Sequence, residues 1–166
     1  LIVKSAGNDR GDEPGTNPTN HFEWTGSGWS TVNTYRPPDG GVDGFDCIPT
    51  EGNAKNIMTV GAVNDIPAGY AAPPDVVASS FHGWGPTDDG RIKPDIVANG
   101  IGLFSAGSAA DDDYSSKSGT SMSGPSVTGS AALLQQHHQA LNAGASMRSA
   151  TLKALILHTA DEAGPA

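Results

Sequence analysis

Apolar residues in this chain fall into short clusters, and their spacing changes toward the C-terminal third. Leu1-Ile2-Val3 opens the chain and Asn56-Ile57-Met58-Thr59-Val60-Gly61-Ala62-Val63 repeats the theme. Shorter pieces stand at Val76-Val77-Ala78-Ser79-Ser80-Phe81, Asp95-Ile96-Val97-Ala98 and Gly102-Leu103-Phe104-Ser105. Short uninterrupted apolar runs predict strands of a parallel sheet buried on both faces. Past residue 119 the period lengthens: Val127, Ala131 and Leu134 lie at i, i+4 and i+7, which predicts a helix to about Leu141. Asn142-Ala143-Gly144 should stop it, the glycine suiting a left-handed cap. Ser146 is the candidate cap of a last helix, with Ala150, Ala154 and Leu157 on one stripe and Leu155 and Ile156 beside it. Residues 9–53 are polar and aperiodic, with Trp24, Trp29, Tyr35 and Phe45 among them, and predict an irregular surface excursion. Strands followed by a helix pair give an α/β class, without internal repeat or a second domain. A buried strand needs neighbours on both sides, so a chain that opens on one is expected to be a piece of something longer.

Composition narrows the function. The 166 residues carry nine Lys and Arg against eighteen Asp and Glu, a net charge of −9. That excess argues against nucleic-acid binding, which needs a basic face to displace counterions. No apolar run approaches the roughly 20 residues of a membrane-spanning helix, and no signal-peptide pattern is visible. With 22 Gly, 12 Pro and 36% hydrophobic residues the chain is loop-rich and globular rather than a coiled coil. Cys47 is the one cysteine, which excludes an internal disulfide or a cysteine-based zinc site.

Two positions carry candidate chemistry. Ser121 stands between Gly119-Thr120 and Met122-Ser123-Gly124-Pro125, where extended chain turns into helix. A hydroxyl there sits at the positive end of the helix dipole, beside backbone N–H donors suited to a developing oxyanion. Glycine on either side admits a substrate backbone, and Pro125 is expected within the first turn, where its missing N–H matters little. The alternative is that Ser121 is simply the helix N-cap. Asn8 follows the opening strand, at the strand end where α/β sheets gather ligands. Its amide can donate to a transition-state oxygen, or it is merely a turn residue.

Taken with their surroundings, these positions resemble the subtilisin-like serine proteases, the subtilases. Gly119-Thr120-Ser121-Met122-Ser123-Gly124-Pro125 is similar to the family's nucleophile segment, and Ser5-Ala6-Gly7-Asn8 to the segment supplying its oxyanion-hole Asn. Residues 53–63 resemble the strand after the substrate-pocket region. Ser80-Phe81 through Gly85-Pro86, with Asp89-Gly90-Arg91-Ile92-Lys93-Pro94-Asp95, resembles the stretch before the nucleophile loop, although Trp84 stands where the family carries Arg. Order and spacing match over nearly the whole chain, residues 9–53 excepted. The related sedolisins usually place an acidic residue at the oxyanion position, so Asn8 points to subtilases.

The resemblance implies a subtilisin-like parallel sheet flanked by helices, with Ser121 as nucleophile and Asn8 as oxyanion donor. It implies a polypeptide substrate bound as an added strand, no organic cofactor, and a secreted or cell-surface setting. In the family the catalytic Asp and His segments precede the oxyanion Asn. Only seven residues precede Asn8, and neither an Asp-Thr-Gly-like nor a His-Gly-Thr-like segment occurs. Residues 1–166 are therefore expected to be the C-terminal part of a catalytic domain with an insertion at about 9–53. Such a chain should be inactive alone, and its partner should be the missing N-terminal half or a second copy of itself. His137 and His138, 16 and 17 residues past Ser121 on one helix, would lie about 24 Å away, too far for a base. His158 suits a helix C-terminus; His82 and His21 have no evident catalytic place. Two acidic clusters, Asp39, Asp43 and Asp46, and Asp111-Asp112-Asp113, match no defined calcium loop and read as solvated charge, although the resemblance leaves room for structural calcium. The rival expectation is a non-catalytic module that keeps the fold for binding or assembly.

Overall fold

A computed structural model describes residues 1–10, 19–34 and 45–163. Its main sheet has three parallel strands in the order β1 (Ile2–Ser5), β4 (Ile57–Val63), β5 (Ile96–Asn99). Ile2 pairs with Ile57 across the first ladder, and Val60 with Ile96 across the second. All seven residues of β4 are buried, which is why its sequence is apolar apart from Thr59 rather than alternating. β1 is an edge strand among the described residues. It pairs with β4 on one side only among the described residues, and Ile2 is 66% exposed.

Two antiparallel hairpins accompany the sheet: β2 (Thr19–Trp24) with β3 (Trp29–Thr34), and β6 (Leu103–Ala106) with β7 (Tyr114–Lys117). β7 leads into α1 (Thr120–Leu141), and α2 (Ser149–His158) follows. One face of the sheet packs on both helices: Met58 and Val60 meet Val127 and Ala131 of α1 and Leu152 and Ile156 of α2, with Val3 and Ile96 alongside. Complete burial of side chains of this size stabilises by roughly 1.5–3 kcal/mol each.

Beside that core a buried ionic cluster ties β4, β5 and α2 together. Asp95 accepts from Lys93 Nζ (2.6 Å), from Lys153 Nζ (2.9 Å) and from the Thr59 N–H (2.7 Å). Lys93 Nζ also donates to Thr59 Oγ1 (2.9 Å), and Lys153 Nζ to the Ile57 carbonyl. Every charged group thus has a partner and further hydrogen bonds, the condition under which buried charge is tolerated.

Four expectations need correction. Residues 76–81 form no strand; they make a single antiparallel bridge, Val63 to Ala78, and the chain then turns at Ser79–His82 through hydrogen bonds to Ser79 Oγ. Ser146 does not cap α2. It accepts from Gln139 Nε2 (3.0 Å), while Arg148 holds the N-cap position without a side-chain bond. The buried stripe of α2 is Leu152 and Ile156, with Ala150, Ala154 and Leu157 exposed. The excursion contains the regular β2–β3 hairpin, closed by Thr25–Gly28 contacts (N–H to carbonyl, 3.0 Å). Tyr35, Asp39 and Asp43 lie outside the described residues.

Candidate active site

The first turn of α1 and the loop after β1 meet at the C-terminal end of the sheet. Gly119 is the N-cap of α1 with φ 149° and ψ 160°, angles open essentially to glycine alone. Ser121 is the second helical residue, so it is not the cap, and its hydroxyl is released from that role. Its N–H is one of the helix-start donors that has no acceptor within the helix. Met122 N–H turns back to the Gly119 carbonyl (3.0 Å).

Asn8 reaches this turn from the other side. Ala6 is fully buried and donates to the Val60 carbonyl (2.9 Å), fixing the end of β1. Gly7 then reverses the chain at φ 84°, where a Cβ would stand 2.7 Å from the Pro49 ring. Asn8 Oδ1 accepts from both the Thr120 N–H (3.0 Å) and the Thr120 hydroxyl (2.9 Å). Two donors on one oxygen fix the amide orientation, so Nδ2 is the end turned away from Thr120. A Cβ built on Gly119 would lie 3.5 Å from that Nδ2. Asn8 is thus bonded to the residue directly before Ser121.

Thr120 was missed in the sequence, although it stands directly before Ser121 and uses both of its donors on Asn8. Ser5 was missed as well: its hydroxyl and that of Ser123 donate to the Thr120 carbonyl (2.9 and 3.0 Å). Pro125 is the sixth helical residue, not part of the first turn, so the Ser121 carbonyl loses its ordinary acceptor role toward residue 125. A hollow of about 430 Å³ opens beside Ser121, lined by Val3, Ser5, Gly124, Pro125 and Thr128. A larger apolar hollow of about 450 Å³, lined by Phe45, Trp84, Pro94 and Val97 among others, shares no residue with it.

His82 is 3% exposed and bonds Ser79 Oγ through Nδ1 (3.0 Å); burial, then the nearby Arg10 guanidinium, lowers its pKa to about 4. His21 meets Glu23 on β2 (2.9 Å), His138 meets Asn142 near the end of α1, and His158 ends α2. Among the described residues no group of three His, Cys, Asp or Glu side chains could hold a metal. Asp113 orders the β6–β7 turn, accepting the Ala109 N–H (3.0 Å). Among the described residues no helix is long and apolar enough to cross a membrane.

The fold and site define an α/β protein in which a helix-start serine stands next to an anchored amide at the end of a parallel strand. The chain belongs to the Subtilase family, whose profile matches residues 1–166. It is 36% identical over 107 residues to a C5a peptidase of Streptococcus pyogenes serotype M3, covering 64% of this chain and 9% of that protein. It is 34% identical over 103 residues to the serine protease AprX of Bacillus subtilis, covering 55% of this chain and 23% of that one. The chain thus spans less than a quarter of either relative. Among solved structures, the self-cleaved protease domain of PatA superposes with a TM-score of 0.59 at 22% identity, over 97% of this chain and 42% of its own. The CspB protease of Clostridium perfringens gives 0.60 at 24%, over 78% and 25%. These likenesses establish a subtilisin-like fold.

Proposed function

We propose that residues 1–166 are the nucleophile-bearing part of a subtilase catalytic domain, a serine endopeptidase acting on extended polypeptides. The observation that carries this reading is the pair of hydrogen bonds from Thr120 to Asn8 Oδ1, which ties the Asn8 amide to the residue before Ser121 and leaves its NH2 out of that contact. In the reaction Ser121 Oγ attacks the scissile carbonyl, and the oxyanion is held by Asn8 Nδ2 and the Ser121 N–H. The Ser121 proton passes to a histidine from a segment outside this chain, oriented by an aspartate also outside it. A base from outside is supported by His82, which is buried and neutral at pH 7, and by His137 and His138, which stand more than four turns along α1. The reaction calls for no organic cofactor, and the family reading carries a secreted or cell-surface setting with it.

Mixing the chain with a polypeptide that carries a subtilase's Asp and His segments tests the reading. Hydrolysis of an unfolded protein substrate should appear on mixing, vanish in Ser121→Ala, and be negligible for the chain alone. Hydrolysis that survives Ser121→Ala would contradict it. A second reading, a non-catalytic assembly module, draws on the outer edge of β1, whose backbone donors and acceptors face no strand among the described residues.

A further inference from the structure

Thr120 is not the only support of Asn8. Residues 7–10, which carry it, lie along residues 81–85. Gly83 N–H donates to the Gly7 carbonyl (3.1 Å), and Arg10 N–H donates to the Phe81 carbonyl (3.3 Å). The Arg10 guanidinium sits 3.5 Å from the centroid of the Trp84 ring. Trp84 is itself fixed from the opposite bank. The Cys47 N–H donates to the Trp84 carbonyl (2.9 Å), and the Trp84 N–H donates to Cys47 Sγ (3.2 Å). Phe45 meets the indole edge-on at 5.3 Å, and His82 lies against it at 5.7 Å. Cys47 thus holds the Trp84 backbone, while Arg10, Phe45 and His82 pack against its indole.

We propose that Arg10 and Trp84 act as a positioning pair for Asn8. The stack fixes the direction in which the chain leaves Gly7, and so keeps Asn8 Oδ1 on Thr120 and its NH2 toward Ser121. The pair rests on the reading of Asn8 as oxyanion donor. Asn8 is exposed and follows a glycine, so two hydrogen bonds to one oxygen leave its backbone free to swing unless the loop is held further along. A donor must stay within about half an ångström of its working place to stabilise charge. The requirement falls on Arg in particular: its planar, permanently charged guanidinium can lie flat on a ring, which a lysine ammonium cannot do.

Amide hydrogen exchange at Thr120 in the full 166-residue chain reads the Asn8–Thr120 bond without any turnover. Arg10→Ala should speed Thr120 exchange about tenfold while Val60 and Ala62 in β4 keep their rates. Trp84→Ala should do the same, and Trp84→Phe, which retains a ring face, should do less. In an Asn8→Ala background, where the bond is already gone, Arg10→Ala should add nothing at Thr120. Unchanged Thr120 exchange in Arg10→Ala, additive effects of Arg10→Ala and Asn8→Ala, or equal acceleration in β4 would each overturn the proposal. Should Trp84→Ala fail to fold, Arg10→Ala and Trp84→Phe decide it. Failure of the peptidase reading would leave a positive exchange result standing.

Discussion

His82 shows how much one side chain can say about the neighbourhood of a site. It is enclosed beside the Asn8 loop, and desolvation, followed by the Arg10 charge, brings its pKa from 6.5 to about 4. Its charged form is therefore disfavoured in the fold while the unfolded chain protonates normally. Stability is at its full value above pH 6.5, falls as pH drops from 6.5 toward 4, and levels off below. A shift of this size corresponds to about 3 kcal/mol. Urea unfolding at pH 7 and pH 4.5 should show most of this loss, and His82→Gln should flatten the slope. An equal slope in His82→Gln would assign the pH dependence to other groups. Trp84, unexplained as a letter in the sequence, becomes intelligible only when Arg10 is seen lying on it. Ser121 and Asn8 could be singled out because a short motif surrounds each. Thr120 could not be assigned its part, since its role depends on a neighbour 112 residues away.

Among the elements, the central sheet was legible and the hairpin was not, for opposite reasons. β4 is buried on both faces, so its seven residues carry an apolar signal interrupted only by Thr59. The β2–β3 hairpin leaves Phe22, Trp24 and Trp29 exposed, so its alternation has no buried side to mark it and reads as polar irregularity. The last helix was found, but its buried stripe lies two positions from the expected one, on nearly the opposite face. Lys153 sits on its inner side as an ion partner of Asp95, and a charged residue there hides the true stripe of Leu152 and Ile156. That ion cluster gives the element-scale prediction. Burial raises the Asp95 carboxyl, but hydrogen bonds from Lys93, Thr59 and Lys153 outweigh it and hold the pKa below its ordinary value. Its contribution is present at neutral pH and is lost as pH falls below the ordinary carboxylate range. Asp95→Ala leaves Lys93, whose side chain is 2% exposed, without its counter-charge, and should cost about 3–5 kcal/mol by chemical denaturation. Lys153→Met, which leaves the Lys93–Asp95 pair intact, should cost clearly less. Equal losses would mean that the cluster does not work through Asp95.

For the whole molecule, the parallel sheet places one end of β1 at the start of α1, and every candidate group of the site hangs on that junction. The same strand presents its outer edge without a partner among the described residues. An edge of this kind invites pairing, so the chain should be found in an assembly, with a second copy or with a polypeptide that supplies the catalytic Asp and His. Light scattering of the purified chain should give a mass above 16.9 kDa; a stable monomer would argue against the open edge.

The central claim is that Ser121 becomes a nucleophile beside a donor held by Thr120, once a base is brought to it. The rate at which a fluorophosphonate labels Ser121, measured with and without a base-bearing subtilase segment, tests it most directly. Labelling should be slow for the chain alone, rise sharply with the segment present, and fall by roughly 10²–10³ in Asn8→Ala. Rapid labelling of the isolated chain, or a rate indifferent to Asn8, would contradict the account.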